Sequence, residues 1–186
     1  QGGVARRATA IKEMRDRQPA ILVLDTGNSL LNDQNPALSS QGATSIEVLN
    51  RLGYDAIALG ERDLILGLDV LEQRMAEATF PVLSANVIVR KTDVYLTQPY
   101  HIAVVEGHRV GIIGLTGISL DTPSSALEVR DPLGSLHELL PEVVHQSELV
   151  IVLSNASLDV EREIARTLPQ VQLIVSGGEE WLAMPE

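Results

Sequence analysis

The chain has no cysteine among its 186 residues. Disulfides, thiolate catalysis and cysteine-held zinc are therefore excluded, while the redox character of the compartment stays open. Basic residues are scarce: 14 Lys and Arg stand against 25 Asp and Glu, a net charge of −11. That balance argues against nucleic acid as a partner, because neutralising phosphates takes Lys and Arg in excess. No apolar run is long enough to span a bilayer, and no leader pattern is visible from Gln1 onward. Internal repeats, low-complexity tracts and an interdomain linker are missing too. What is present is a chain 45% hydrophobic, of a length suited to one compact domain with a sizeable core.

Apolar spacing sets out an alternation of helices and strands. Val4, Ala8 and Ile11 share a helical face that Pro19 closes, and Ala20 to Asp25 reads as a buried parallel strand. Asn28 to Ser40, polar and holding Pro36, reads as a loop at that strand's carboxyl end. Ala43, Ile46, Leu49 and Leu52 mark a second helix, and Leu68, Leu71 and Met75 a third, followed by a strand over Pro81 to Val87. His101 to Glu106 and Arg109 to Gly114 flank Gly107-His108, and glycine first in a two-residue loop predicts a type II′ hairpin. Leu133 to Gln146 is helical, with Pro141 expected to kink it or to mark a start. A strand over Leu149 to Leu153, a helix around Val160 to Leu168 and a strand over Val171 to Val175 finish the series. The expected fold is α/β, mostly parallel sheets covered by helices, with one antiparallel hairpin.

The stretch from Leu52 to Asp63 organises the rest. Gly53 suits the left-handed residue past a helix, Ala56 to Leu59 a short parallel strand, and Gly60 a sharp turn. Open α/β sheets bind ligands at the carboxyl ends of their strands, so Glu61, Arg62 and Asp63 are expected to face whatever the protein handles.

Seven blocks, in order, resemble the 5′-nucleotidase branch of the calcineurin-like metallophosphoesterases. Gly2 to Thr9 resembles the family's amino-terminal helix, and Leu24-Asp25-Thr26-Gly27-Asn28 its Asp-Ala-Gly-Asp block. Gly60-Glu61-Arg62-Asp63 resembles Gly-Asn-His-Glu, while Phe80 to Val87 and Val110 to Thr116 are close to family wording. Val152-Leu153-Ser154-Asn155 parallels Leu-Ser-His, and Ser176-Gly177-Gly178-Glu179-Glu180-Trp181 parallels Gly-Gly-His-Ser-His. The resemblance implies one metallophosphoesterase-like layered domain over residues 1–186. The family's first strand, with an Asp-x-His motif, would lie upstream of Gln1, and its last strands after Glu186.

Family enzymes hold two divalent metals bridged by an Asp, and a His assists the leaving group. The resemblance places Asn28 at the bridging Asp, Glu61 at a metal-binding Asn, Arg62 at the catalytic His and Ile65 at the Asp that partners that His. Asn155, Glu179 and Trp181 stand where the later histidines belong. Arginine cannot act as general acid near neutrality or as a metal ligand, and indole has no lone pair to give. An amide oxygen is a poor bridge between cations. No residue is therefore assigned a catalytic role, and no resident metal is expected. Asn28, Glu61, Arg62 and Asn155 are the candidate ligand-binding residues, for a nucleotide-like or anionic small molecule. Arg62 among Glu61, Glu179 and Glu180 also suggests an Arg–carboxylate cluster replacing the cations.

The implied function is a degenerate phosphoesterase domain serving as a binding or structural module. The alternative is an active enzyme with a rebuilt carboxylate-rich site holding two Mn²⁺, Mg²⁺ or Zn²⁺ ions. The resemblance also suggests an exported or cell-surface protein. His101, His108, His137 and His145 read as surface or boundary residues, and Asp25 as an acceptor for loop donors. Asn155-Ala156-Ser157, a sequon by pattern, reads as a chance occurrence at a strand end.

Overall fold

The computed structural model describes residues 3–18, 20–31, 35–118 and 125–177. In chain order come α1 (Val4–Arg17), β1 (Leu24–Asp25), a short α2 (Asn35–Ser39), α3 (Ala43–Leu52) and β2 (Ala56–Ala58). A 3₁₀ turn (Asp63–Leu66) leads into α4 (Leu68–Glu77), β3 (Val82–Leu83), β4 (Val87–Val89) and β5 (Val94–Tyr95). Then follow β6 (Tyr100–Val105), β7 (His108–Leu115), β8 (Leu127–Val129), α5 (Pro132–Gln146), β9 (Leu149–Ser154), α6 (Leu158–Thr167) and β10 (Leu173–Ser176).

Two sheets carry the parallel pairing. One is ordered β1-β2-β3, all parallel; the other β10-β9-β7-β6, parallel except for the β6–β7 hairpin. Their facing sides meet through small residues: Ala56 and Ala58 pack with Leu83, Val110, Ile112 and Leu153. Alternation sends Ile57 the other way, into a cluster with Ile46, Leu49, Leu59 and Leu71 that seats α3 and α4. On the far side α5 and α6 bury Leu136, Leu140, Val143 and Ile164 against Ile113, Leu115 and Val152. The order is thus helix, sheet, sheet, helix. Among the described residues, no helix is long and apolar enough to cross a membrane.

Several expectations change in detail. The strand expected over 20–25 pairs only at Leu24–Asp25, and the expected loop over 28–40 contains α2. The strand expected over 81–87 divides: β3 closes the parallel sheet, whereas β4 enters a small antiparallel sheet ordered β5-β4-β8. In the hairpin, Val105 pairs with His108, so the loop is Glu106-Gly107 rather than Gly107-His108. Both loop residues have positive φ, +51° and +88°, which is a type I′ turn and replaces the expected II′. The start of α5 belongs to Pro132, with the Asp131 carboxylate accepting the Gly134 amide at 2.6 Å. Pro141 lies inside that helix, at an exposed position.

Candidate functional site at the strand ends

All the parallel strands run the same way, so their carboxyl ends share one end of the molecule. There β1 gives way to Thr26-Gly27-Asn28, β2 to Leu59-Gly60-Glu61, β7 to Thr116-Gly117, β9 to Asn155 and β10 to Gly177. These turns and the start of α6 enclose a cleft of about 280 Å³, whose walls include Asn28, Glu61, Asn155, Ser157, Ser176 and Gly177. The first two turns touch main chain to main chain. Gly27 has φ +108°, and a methyl group there would lie 2.7 Å from Gly60 N and 2.8 Å from Gly60 Cα.

The cleft's polar side chains are bonded to one another. Asn28, in the left-handed region at φ +58°, accepts the Arg62 amide on Oδ1 at 2.8 Å and donates through Nδ2 to Asn155 Oδ1 at 3.3 Å. Asn155 Oδ1 also accepts the Glu61 amide at 3.3 Å, and Asn155 Nδ2 donates to Gly177 O at 3.2 Å. Asp25 accepts Gly27 N at 3.0 Å and Ser29 Oγ at 2.7 Å, the loop-holding role expected of it.

Of the candidates from the sequence, Asn28, Glu61 and Asn155 come together. Arg62 contributes its main-chain amide to the network, but the residue is exposed and does not line the cleft. Glu179, Glu180 and Trp181, and with them the proposed Arg–carboxylate cluster, lie outside the described residues. Ile65 is exposed. None of the four histidines lines the cleft; His108 pairs through Nδ1 with Glu148 at 2.8 Å on the surface. Asn155 is only 6% exposed, which removes the sequon from glycosylation. Among the described residues, no three His, Asp or Glu side chains gather where a metal ion could be held.

The expectation that Asp63 faces the ligand is corrected. It is fully buried beneath the cleft, and four backbone amides (Asn28, Leu30, Leu31 and Gly60) donate to its carboxylate. Burial pushes its carboxyl from 3.8 up to about 6, against the downward pull of those four amides. A raised acid holds its proton more tightly folded than unfolded. Its stabilising share is therefore complete below the unfolded value of 3.8 and is lost as pH rises through about 6. Asp63→Asn is expected to flatten the stability–pH curve across that window by about 3 kcal/mol. Urea midpoints at several pH values check this, and a slope equal to wild type would contradict it.

Sequence reading also missed Ser157 and Ser176 as wall residues. Ser157 could have been found from Asp159 and Glu161, two acids that suit the first turn of a helix starting at Leu158.

No family model matches the chain. Over 194 residues it is 34% identical to the snake venom 5′-nucleotidase of Gloydius brevicauda, covering 95% of this chain and 31% of that protein. It is also similar to the crystal structure of a 5′-nucleotidase precursor from Thermus thermophilus, at 34% identity and TM-score 0.76, covering 95% of this chain and 36% of that one. The NAD nucleotidase of Haemophilus influenzae matches at TM-score 0.85 and 25% identity, over 97% of this chain and 33% of the other. The chain spans about a third of the length of the curated relatives it matches.

Proposed function

Because the chain belongs to the 5′-nucleotidase-like branch of the calcineurin-like metallophosphoesterases, we propose that it is a degenerate member: the fold is kept, two-metal hydrolysis is lost, and the strand-end cleft binds a nucleotide-like or anionic small molecule. One observation carries this reading. Asn28 and Asn155, at two of the family's ligand positions, are neutral carboxamides that bond each other and nearby main-chain groups.

Two divalent cations a few ångströms apart need a shared anionic oxygen between them, and an amide oxygen engaged by protein N–H groups is a poor substitute. Among the described residues, Glu61 is the one carboxylate in the cleft walls. Such a donor set does not fit a dinuclear centre. Ligand binding is supported by the relatives' names and by the amides that α6 presents at the cleft, where Ser157 makes no side-chain cap.

The test combines elemental analysis with hydrolysis assays on AMP and a generic phosphomonoester in Mn²⁺. No metal-dependent turnover is expected from the wild type. Arg62→His alone is expected to stay inactive as well, since it restores neither the bridging carboxylate nor the other imidazoles. Two equivalents of bound metal with metal-dependent turnover would overturn the proposal, as would turnover from that single substitution.

A further inference from the structure

At the base of the cleft the main chain forms a seat for an anion, and the chain fills that seat itself. Asp63 Oδ2 accepts Asn28 N at 2.9 Å and Gly60 N at 3.0 Å. Its Oδ1 accepts Leu30 N at 3.0 Å and Leu31 N at 3.3 Å. Amides of nearby residues curled toward one point are the geometry by which backbone nests hold phosphate or carboxylate. Here the donors come from two separate turns, the one after β1 and the one after β2, so the carboxylate ties those turns together.

What the seat fixes lies above it. Asn28 holds a left-handed φ of +58°, a conformation costing a non-glycine residue on the order of 1 kcal/mol unless its surroundings enforce it. Asp63 binds the amide of Asn28 itself and those of Leu30 and Leu31 just beyond. From that position the Asn28 carboxamide reaches the Arg62 amide and Asn155, and Asn155 reaches Glu61 and Gly177. We propose that Asp63 is the positioning residue of the cleft, an internal anion whose seating in four backbone amides sets the Asn28–Asn155 pair that forms the cleft walls. This rests on the preceding reading only in taking the cleft as the binding site.

An acid that merely fills space would be replaced equally well by any group of its volume. An anion in a seat is replaced only by another anion. The experiment compares ¹⁵N-labelled wild type, Asp63→Ala and Asp63→Asn without any cleft ligand, then with formate and with neutral formamide of similar size. In Asp63→Ala, amide exchange at Leu30, Leu31 and Gly60 is expected to quicken at least about tenfold, the effect of losing one buried hydrogen bond. The side-chain NH₂ signals of Asn28 and Asn155 are expected to move toward solvent values. Millimolar formate should restore both saturably, and formamide should not. Asp63→Asn should show the same displaced signals without rescue, because its carboxamide keeps the seat filled.

If Asp63→Ala fails to fold, recovery of its circular dichroism by formate but not formamide is the expected result. Unmoved Asn28 and Asn155 signals in the variants, or formamide rescuing as well as formate, would overturn the assignment. So would an alanine variant that neither ion nor amide restores. AMP titration of the wild type decides the separate question of nucleotide binding. Its failure would count against the preceding reading and leave the signals above to decide this one.

Discussion

Gly27→Ala is expected to remove most of the protein's stability. Two costs fall on one methyl group. At φ +108° an L side chain is strained, and the new carbon would sit 2.7 Å from Gly60 N, against main chain that no rotamer change can move aside. Strain at such a φ costs on the order of 2 kcal/mol, and overpacking against rigid neighbours about 2 more. The sum, about 4 kcal/mol, is a large share of the 5–15 kcal/mol that holds ordinary domains together. With a urea slope of roughly 2 kcal/mol per molar, the midpoint should fall by about 2 M. Gly67→Ala supplies the control. Gly67 also has positive φ, +78°, but a methyl there meets nothing within 4 Å, so only the strain remains and the shift should be about half or less. Equal shifts in the two variants would show that the close passage of the β1 and β2 turns is not what demands glycine at position 27.

Asn86→Leu is the second large effect. Asn86 is fully buried behind the cleft, where β3, β4, β7 and β8 converge. Its Oδ1 accepts the Thr116 amide at 2.9 Å, and its Nδ2 donates to Thr116 O at 2.8 Å and Arg130 O at 3.1 Å. Thr116 in turn joins Ser84 and the Leu59 carbonyl through its hydroxyl, at 2.8 and 2.7 Å. Leucine keeps the branching of the heavy atoms, so no cavity opens and the cost comes chiefly from hydrogen bonding. One amide and two carbonyls lose their partner in a dry interior, at about 1–2 kcal/mol each. The expected loss is therefore about 4 kcal/mol, again near 2 M in urea midpoint. A loss under about 1 kcal/mol would mean that water reaches this network and satisfies the stranded groups.

The turn after β2 shows where sequence reading succeeds and where it stops. Gly53 reads as a left-handed helix stop, and it ends α3 with φ +68°. Ala56 to Leu59 reads as a buried strand, and all three residues of β2 are buried. Both signals are local: a cap depends on one residue's backbone freedom, and a parallel strand on a short run of apolar side chains. Glu61, Arg62 and Asp63 read as a unit facing the ligand, and they part company. Glu61 lines the cleft, Arg62 is exposed and Asp63 is buried. Hydrogen bonds three residues apart begin at the Gly60 carbonyl, so these residues already follow a spacing of three per turn and their side chains leave in three directions. Composition carries no mark of that. The hairpin repeats the lesson, since Glu106-Gly107 and Gly107-His108 are both acceptable loops by residue type. The pairing of Val105 with His108 selects the first.

The sequence by itself determined the α/β alternation, the helix stop at Gly53 and the family. Those follow from side-chain chemistry and short spacings, which need no folded partner to be read. Only the tertiary structure decided which of these residues meet. Three of the four amides held by Asp63 come from 32 to 35 residues away, and the Asn28–Asn155 contact spans 127 residues. Such contacts exist because parallel strands deliver distant turns to one end of the molecule, so the cleft is a property of strand order and not of any one stretch of chain.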